Sequence, residues 1–257
     1  MVSTAIVIPC YNEAERFDIG AFEVFLAGNN DIDLIFVDDG STDNTLEQIN
    51  FLMLRHQRVG CVRLETNKGK AEAVRQGVLK AVEQGYEMIG YWDADLSTPL
   101  EMIDRMRKKL NGDVSLVLGT RIKLLGYDVQ QLALRHYFGR VYATLASSIV
   151  LDLPVYDTQC GAKIFYNSNE IQKAFMKPWR VNWSFDVELL GRLDIIKKAH
   201  NLPPLSQTAV EYPLEKWIHR QGSKVRPIDF FKGIAELLKL YILLNSSEYQ
   251  LEIIGLV

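Results

Sequence analysis

Short apolar runs recur through the first half of the chain, and each gives way to polar, turn-forming residues. Thr4–Pro9, Asp33–Val37, Val59–Glu65, Ile89–Trp92 and Ser115–Thr120 have the length and near-continuous apolar character of strands covered on both faces. Between them lie segments with helical spacing, ending near Ala27, Arg55, Gln84 and Leu110, the last beginning at Pro99. Ser41 or Thr42 is placed to cap the second of these helices. Strands and helices alternating through short turns predict the α/β class, with a mostly parallel sheet covered by helices on both sides.

The texture changes at Gly126. Gln130–Leu151 reads as a helix with Arg135 and Arg140 among apolar residues, and Ile164–Tyr166 as a strand. A further helix starts at Trp183, with Ser184 as its cap and Asp186 and Glu188 near its positive end. Val210–Pro213 is a short strand, and Arg220–Lys224 a basic loop. In the last helix, Ile228–Leu244, the polar residues Asp229, Lys232, Glu236 and Lys239 fall at spacings of 3, 4 and 3, a single narrow stripe. The rest of its circumference is apolar, wider than one-sided core packing needs. Burial under the tail, a dimer contact and a membrane interface all suit that pattern.

The composition is that of a globular protein: 257 residues, 48% hydrophobic and 24% charged. A formal net charge of −3 gives no general attraction to nucleic acid, so phosphate binding must come from locally placed cations or a metal. Cys10, Cys61 and Cys160 are widely spaced, which argues against a disulfide framework or zinc site and for a reducing, cytoplasmic setting. The apolar start is too short for a signal peptide, and no stretch reaches the roughly 20 apolar residues of a spanning helix.

Candidate chemistry gathers where strands end. Ile89–Trp92 leads into Asp93-Ala94-Asp95, and alternate residues of an extended segment point the same way. Two hard oxygen ligands of this kind suit Mg²⁺ or Mn²⁺ holding a diphosphate. Asp38-Asp39 follows the second strand, and Asn67-Lys68-Gly69-Lys70 follows the third. Gly69 permits close backbone approach, and lysines at a helix N-terminus suit phosphate. Each motif alone also fits an ordinary capped turn. Their placement on one carboxyl edge, where open α/β sheets bind ligands, is harder to assign to chance. No G-x-G-x-x-G and no G-x-x-x-x-G-K-[ST] is present, against a dinucleotide site and a P-loop.

Taken together, Ile8-Pro9-Cys10-Tyr11-Asn12-Glu13, Val37-Asp38-Asp39-Gly40-Ser41-Thr42-Asp43, Asn67-Lys68-Gly69-Lys70 and Asp93-Ala94-Asp95 resemble family 2 glycosyltransferases of the GT-A (Rossmann-like) fold. Asp157-Thr158-Gln159-Cys160-Gly161-Ala162-Lys163, Phe185–Leu190 and Gly222-Ser223-Lys224 are similar to segments of dolichyl-phosphate and polyprenyl-phosphate β-glucosyltransferases. The resemblance implies a nucleotide-sugar half over 1–125, an acceptor-side half of the same domain over 126–227, and an amphipathic C-terminal helix and tail over 228–257. It implies that Pro9, Tyr11, Glu13, Asp38 and Asp39 line the nucleoside pocket, with Asp39 on the uracil and Lys70 near the nucleotide. By the same resemblance, Asp93 and Asp95 hold the diphosphate of UDP-glucose through Mg²⁺ or Mn²⁺. Arg121 and Arg135 bind phosphate, and Lys224 closes over the site. Ser97 stands where mannosyl-phosphate relatives often carry Gln.

The expected reaction is inverting sugar transfer. A lipid phosphate acceptor is already anionic and needs cations to align it, here Arg121, Arg135, Arg140, Lys163, Arg220 and Lys224. A saccharide hydroxyl acceptor needs a general base, and Asp157 is the candidate. A nucleotidyltransferase is a third possibility, but it calls for a Gly-rich basic loop after the first strand, which Cys10-Tyr11-Asn12-Glu13 is not. The lipid acceptor also implies peripheral membrane contact through 228–244.

Overall fold

In the computed structural model, which describes residues 3–130, 133–220 and 227–256 and leaves aside the side chains of 133–135 and 227–229, the alternating pattern becomes a helix-covered sheet. The first half is β1 (Thr4–Cys10), α1 (Ile19–Gly28), β2 (Ile32–Asp39), α2 (Thr45–Arg55), β3 (Val59–Leu64), α3 (Lys70–Glu83), β4 (Met88–Tyr91), α4 (Met102–Arg107) and β5 (Leu116–Thr120). The second half opens with β6 (Asp128–Val129) and α5 (Ala133–Leu145), which runs on as a π-helical stretch, Ala146–Leu151. It continues through β7 (Lys163–Tyr166), α6 (Asn169–Met176), α7 (Phe185–Ala199), α8 (Leu205–Thr208), β8 (Ala209–Pro213), β9 (Lys216–Trp217), α9 (Pro227–Leu244) and α10 (Ser247–Ile254).

The seven main strands lie in the order β3-β2-β1-β4-β7-β5-β8. Neighbours are parallel except at β7, which runs antiparallel to both β4 and β5. Alternate residues bury to opposite faces. Ile6, Ile8, Leu34 and Phe36 join one core cluster with Phe22, Ile49 and Ile103 from α1, α2 and α4. Val7, Ile35 and Val37 join the other with Val74, Leu189 and Leu240 from α3, α7 and α9. Burial on both faces explains why these strands read as apolar runs rather than alternating ones. The reversed direction of β7 matters most for the site. It brings the preceding loop, 156–162, to the rim where β4 and β5 end.

Several sequence expectations shift. α2 starts at Thr45, and neither Ser41 nor Thr42 caps it. Their polar groups are taken by Asn12, whose amide donates to Ser41 Oγ at 3.0 Å and whose Oδ1 accepts from the Thr42 amide at 2.8 Å. α4 is shorter than the expected Pro99–Leu110. α6 and α10 have no counterpart in the sequence reading. α10 is held by Tyr249, whose hydroxyl meets Glu188 at 2.7 Å and Arg192 at 3.0 Å. Arg192 is fully buried, and its guanidinium is satisfied by Glu188 and by the carbonyls of Ala174, Lys177 and Pro178.

The apolar circumference of α9 is divided. Leu237, Leu240 and Leu244 enter the core, while Phe231, Leu238 and Ile242 stand 69%, 64% and 70% exposed. Part of the polar stripe turns inward. Glu236 accepts from the amides of Asn182 and Ser184 at 3.2 and 2.7 Å, and Lys239 donates to the Arg180 carbonyl at 2.5 Å. No helix among the described residues is long and apolar enough to cross a membrane.

Candidate active site

The carboxyl edge of the sheet opens into a cavity of about 1270 Å³. Part of its polar lining is built by the loops after β1, β2, β3 and β4. The β1 loop is pinned to the β2 loop through Asn12, and the Glu13 amide donates to Thr45 Oγ1 at 2.8 Å. Pro9, Tyr11 and Glu13 line the cavity, and Glu13 is paired with Arg16 at 2.5 Å. Asp39 also lines it, 2% exposed, and accepts from the amides of Lys68 and Gly69 at 2.7 and 2.8 Å. Burial raises its pKa more than those two hydrogen bonds lower it. Gly69, at φ +91°, makes the turn that brings both amides to one carboxylate and starts α3. Asp38 lies outside the lining. It is 1% exposed, and its Oδ1 accepts from the Ser41 amide at 3.1 Å.

Asp93 and Asp95 both line the cavity. Asp95 accepts from the Ser97 amide at 2.9 Å, and between them Leu96 is driven to φ +51°. A leucine there costs roughly 1–2 kcal/mol, a cost met by the turn that aims both carboxylates. Lys70 donates to Asp93 Oδ1 at 2.6 Å. Burial raises the Asp93 pKa, but Lys70, together with the cations Arg121 and Lys163, brings it down, and the carboxyl is held low. Gly161 is pressed against the same carboxylate, since a Cβ there would fall 2.0 Å from Asp93 Oδ2.

Arg121 and Asp157, proposed from sequence as separate catalytic groups, form one unit. Arg121 Nε and Nη2 donate to the two Asp157 oxygens at 2.7 and 2.8 Å, and the Arg121 amide adds a third bond at 3.1 Å. Burial pushes the Asp157 pKa up, the guanidinium pushes it further down, and the result lies below the usual carboxylate range. A carboxylate so held is a weaker proton acceptor than a free one. Glu211 clamps the loop beneath, accepting from the amides of Tyr156 and Asp157 at 2.7 and 2.8 Å. Arg140 lies 3.5 Å over the Tyr156 ring and donates to the Tyr156 carbonyl at 2.6 Å.

Lys163 departs from its expected role. Its side chain is fully buried and donates to Asp186, Cys160 O and Thr158 O at 2.6, 2.7 and 3.1 Å, so it holds the β7 loop rather than a phosphate. Tyr91 completes that network with a 2.5 Å bond to Asp186. Arg220 lines the cavity. The Arg135 side chain and Lys224 lie outside the described residues.

Part of the cavity lining is aromatic. Phe138, Tyr142, Trp183, Phe230 and Phe231 supply it, with Phe138 against Phe230 at 5.0 Å and Tyr142 edge-on to Trp183 at 4.8 Å. The sequence assigned no site role to Glu211, placed Trp183 only as a helix start, and did not pair Tyr91 with Asp186. A glutamate inside an otherwise apolar strand was the available signal for Glu211.

The fold and rim together define an α/β protein with a ligand site at the carboxyl edge of its sheet, lined by acidic, basic and aromatic side chains. The chain belongs to glycosyl transferase family 2, whose family model matches residues 5–156, and it is a glycosyltransferase. It is 27% identical to a dolichyl-phosphate beta-glucosyltransferase of Trichomonas vaginalis, covering 96% of this chain and 73% of that protein. It is 29% identical to the corresponding Drosophila melanogaster protein, over 87% of this chain and 69% of the relative. Among solved structures it is similar to glucosyl-3-phosphoglycerate synthase from Mycobacterium tuberculosis in complex with uridine diphosphate. That match has a TM-score of 0.62 at 18% identity, covers 93% of this chain and 80% of that one, and supports the GT-A fold expected from the sequence.

Proposed function

We propose that this glycosyltransferase moves a glucosyl unit from UDP-glucose to a polyprenyl phosphate of the dolichyl type, with inversion at the anomeric carbon. The observation that carries the acceptor choice is the Arg121–Asp157 unit. The only carboxylate nominated as a base is committed to a guanidinium, while the same guanidinium faces the cavity as a cation. A phosphate nucleophile needs the cation and not the base. Relatives named for dolichyl phosphate over most of the chain support the reading. So does an aromatic part of the cavity lining, suited to prenyl units.

The division of labour follows the rim. Pro9, Tyr11, Glu13 and Asp39 take the nucleoside, with Asp39 towards the uracil, and 1–125 is the donor half. Arg121, Arg140 and Arg220 align the acceptor phosphate, helped by Arg135 and Lys224, and 126–227 is the acceptor side. One acceptor oxygen attacks the anomeric carbon as the bond to the diphosphate breaks, and the diphosphate leaves with the electron pair.

Among the described residues, no three His, Cys, Asp or Glu are grouped to hold a metal ion unaided. Asp93 and Asp95 nevertheless fit Mg²⁺ or Mn²⁺, which are often held by one or two carboxylates while water and substrate phosphates complete the shell. A cation, Lys70, already sits on Asp93. The bound ion would neutralise charge growing on the leaving diphosphate. One structural neighbour carries Mn²⁺ and uridine diphosphate in its complex.

We also propose that the protein sits on the cytoplasmic face of a membrane, through 228–244 and the neighbouring helix. Tyr137, Val141 and Ile149 after β6 and Phe231, Leu238 and Ile242 on α9 are exposed apolar residues on packed elements. The patch is continuous with the cavity through Phe138 and Phe231. The test is nucleotide release from a panel of sugar nucleotides with Mn²⁺, with and without a short polyprenyl phosphate. The expected result is UDP from UDP-glucose, dependent on lipid and lost in EDTA. Lipid-independent turnover, or turnover raised only by a saccharide, would favour a hydroxyl acceptor instead.

A further inference from the structure

Lys70 is an unusual neighbour for a metal ligand. It is the first residue of α3, and its ammonium touches Asp93 Oδ1 at 2.6 Å, the carboxylate that the reading above gives to a divalent cation. The contact is not a chance surface pair. The backbone just before Lys70 is fixed by Asp39, which binds the Lys68 and Gly69 amides. Gly161 packs against the same carboxylate, where a Cβ would fall 2.0, 2.3 and 2.5 Å from Oδ2, Cγ and Oδ1. A cation approaching Asp93 Oδ1 competes with the Lys70 ammonium already bound there.

We propose that Lys70 is a built-in counter-ion which keeps the divalent site closed until the donor nucleotide arrives. Without nucleotide, Asp93 and Asp95 offer two negative charges, one of them already matched by Lys70. A diphosphate gives Lys70 a second anion to bind and supplies the oxygens that the metal lacks. Lys70 then moves from Asp93 to the diphosphate, and the ion takes its place. Metal and nucleotide bind cooperatively as a result, each tightening the other by the same factor. The coupling spans one short path: Asp39 on the nucleoside side, the Lys68–Gly69 turn, Lys70, Asp93. This rests on the assignment of Asp93 as a metal ligand, and the experiment separates the two.

The test is Mn²⁺ titration of the full chain followed by the paramagnetic resonance of free Mn²⁺, with and without UDP. In wild type, binding without UDP should be weak and UDP should tighten it about tenfold or more. Lys70→Met should tighten Mn²⁺ binding without UDP about tenfold and shrink the effect of UDP. Lys70→Arg, which keeps the charge, should resemble wild type. Asp93→Asn should weaken binding in both conditions. If Asp93→Asn leaves Mn²⁺ affinity unchanged, the metal assignment itself fails. If Asp93→Asn weakens binding while Lys70→Met binds Mn²⁺ no tighter than wild type, the metal assignment stands and the counter-ion proposal is overturned.

Discussion

Replacing Asp157 by Asn separates the two acceptor chemistries. In the native site both carboxylate oxygens accept from the Arg121 side chain, at 2.7 and 2.8 Å, and one also accepts the Arg121 amide. An amide keeps one acceptor oxygen, turns an NH₂ group towards the guanidinium and removes the charge. The loss is roughly one charge-assisted hydrogen bond, about 1.5–3 kcal/mol. If all of it were felt in the transition state, at about 1.4 kcal/mol per tenfold, turnover would fall about 10- to 100-fold through misplacement of Arg121. Loss of a general base costs up to about 10⁴-fold and also removes the acid limb of the pH profile. The assay is the initial rate of lipid-dependent UDP release from about pH 5 to pH 9, with thermal unfolding as the check on fold. The expected variant is impaired within about 100-fold, with a profile of unchanged shape. A thousandfold loss in a folded protein, together with a vanished acid limb, would show that Asp157 is the base and refute the phosphate-acceptor argument.

Other outcomes follow from the same contacts. Gly161→Ala places a Cβ 2.0 Å from Asp93 Oδ2, so Mn²⁺ affinity measured with UDP present should fall at least about tenfold while the thermal midpoint drops only modestly. Because the folded Asp157 pKa is depressed, the ionised carboxylate contributes stability above the usual carboxylate range, and that contribution is lost as pH falls through the folded value. Denaturant titrations should therefore show wild type losing stability below about pH 4 more steeply than Asp157→Asn, and parallel curves would contradict the pairing. Changing Leu238 and Ile242 together to Ser removes the exposed apolar side chains of α9 that lie outside the cavity lining, without touching Leu237, Leu240 or Leu244. Co-sedimentation with vesicles should drop sharply, while release of UDP with a short, detergent-dispersed polyprenyl phosphate should persist.

The strands were legible because burial on both faces leaves an apolar run in the sequence. The carboxyl-edge convergence of Asp39, Lys70, Asp93 and Asp95 followed from parallel topology, and all four line the cavity. What the sequence could not show was which polar groups neutralise one another. Arg121 and Asp157 are 36 residues apart and meet only because β7 runs antiparallel between β4 and β5. The same reversal buries Lys163 against Asp186, turning an apparent phosphate ligand into a structural cation. Helix starts were misplaced where side chains found distant partners, as Ser41 and Thr42 did in Asn12. The stripe on α9 was visible, but its inward turn depends on the amides of Asn182 and Ser184, which spacing along the helix does not encode.

The central claim is that the rim cations receive a phosphate and that no side chain deprotonates a hydroxyl. It is tested most directly by presenting the enzyme, with Mn²⁺ and UDP-[¹⁴C]glucose, to a polyprenyl phosphate and to the polyprenol of the same chain length. Label should enter the lipid phosphate, with none above background in the alcohol. Equal labelling of the alcohol, or label passing to a soluble saccharide in preference to either lipid, would contradict it.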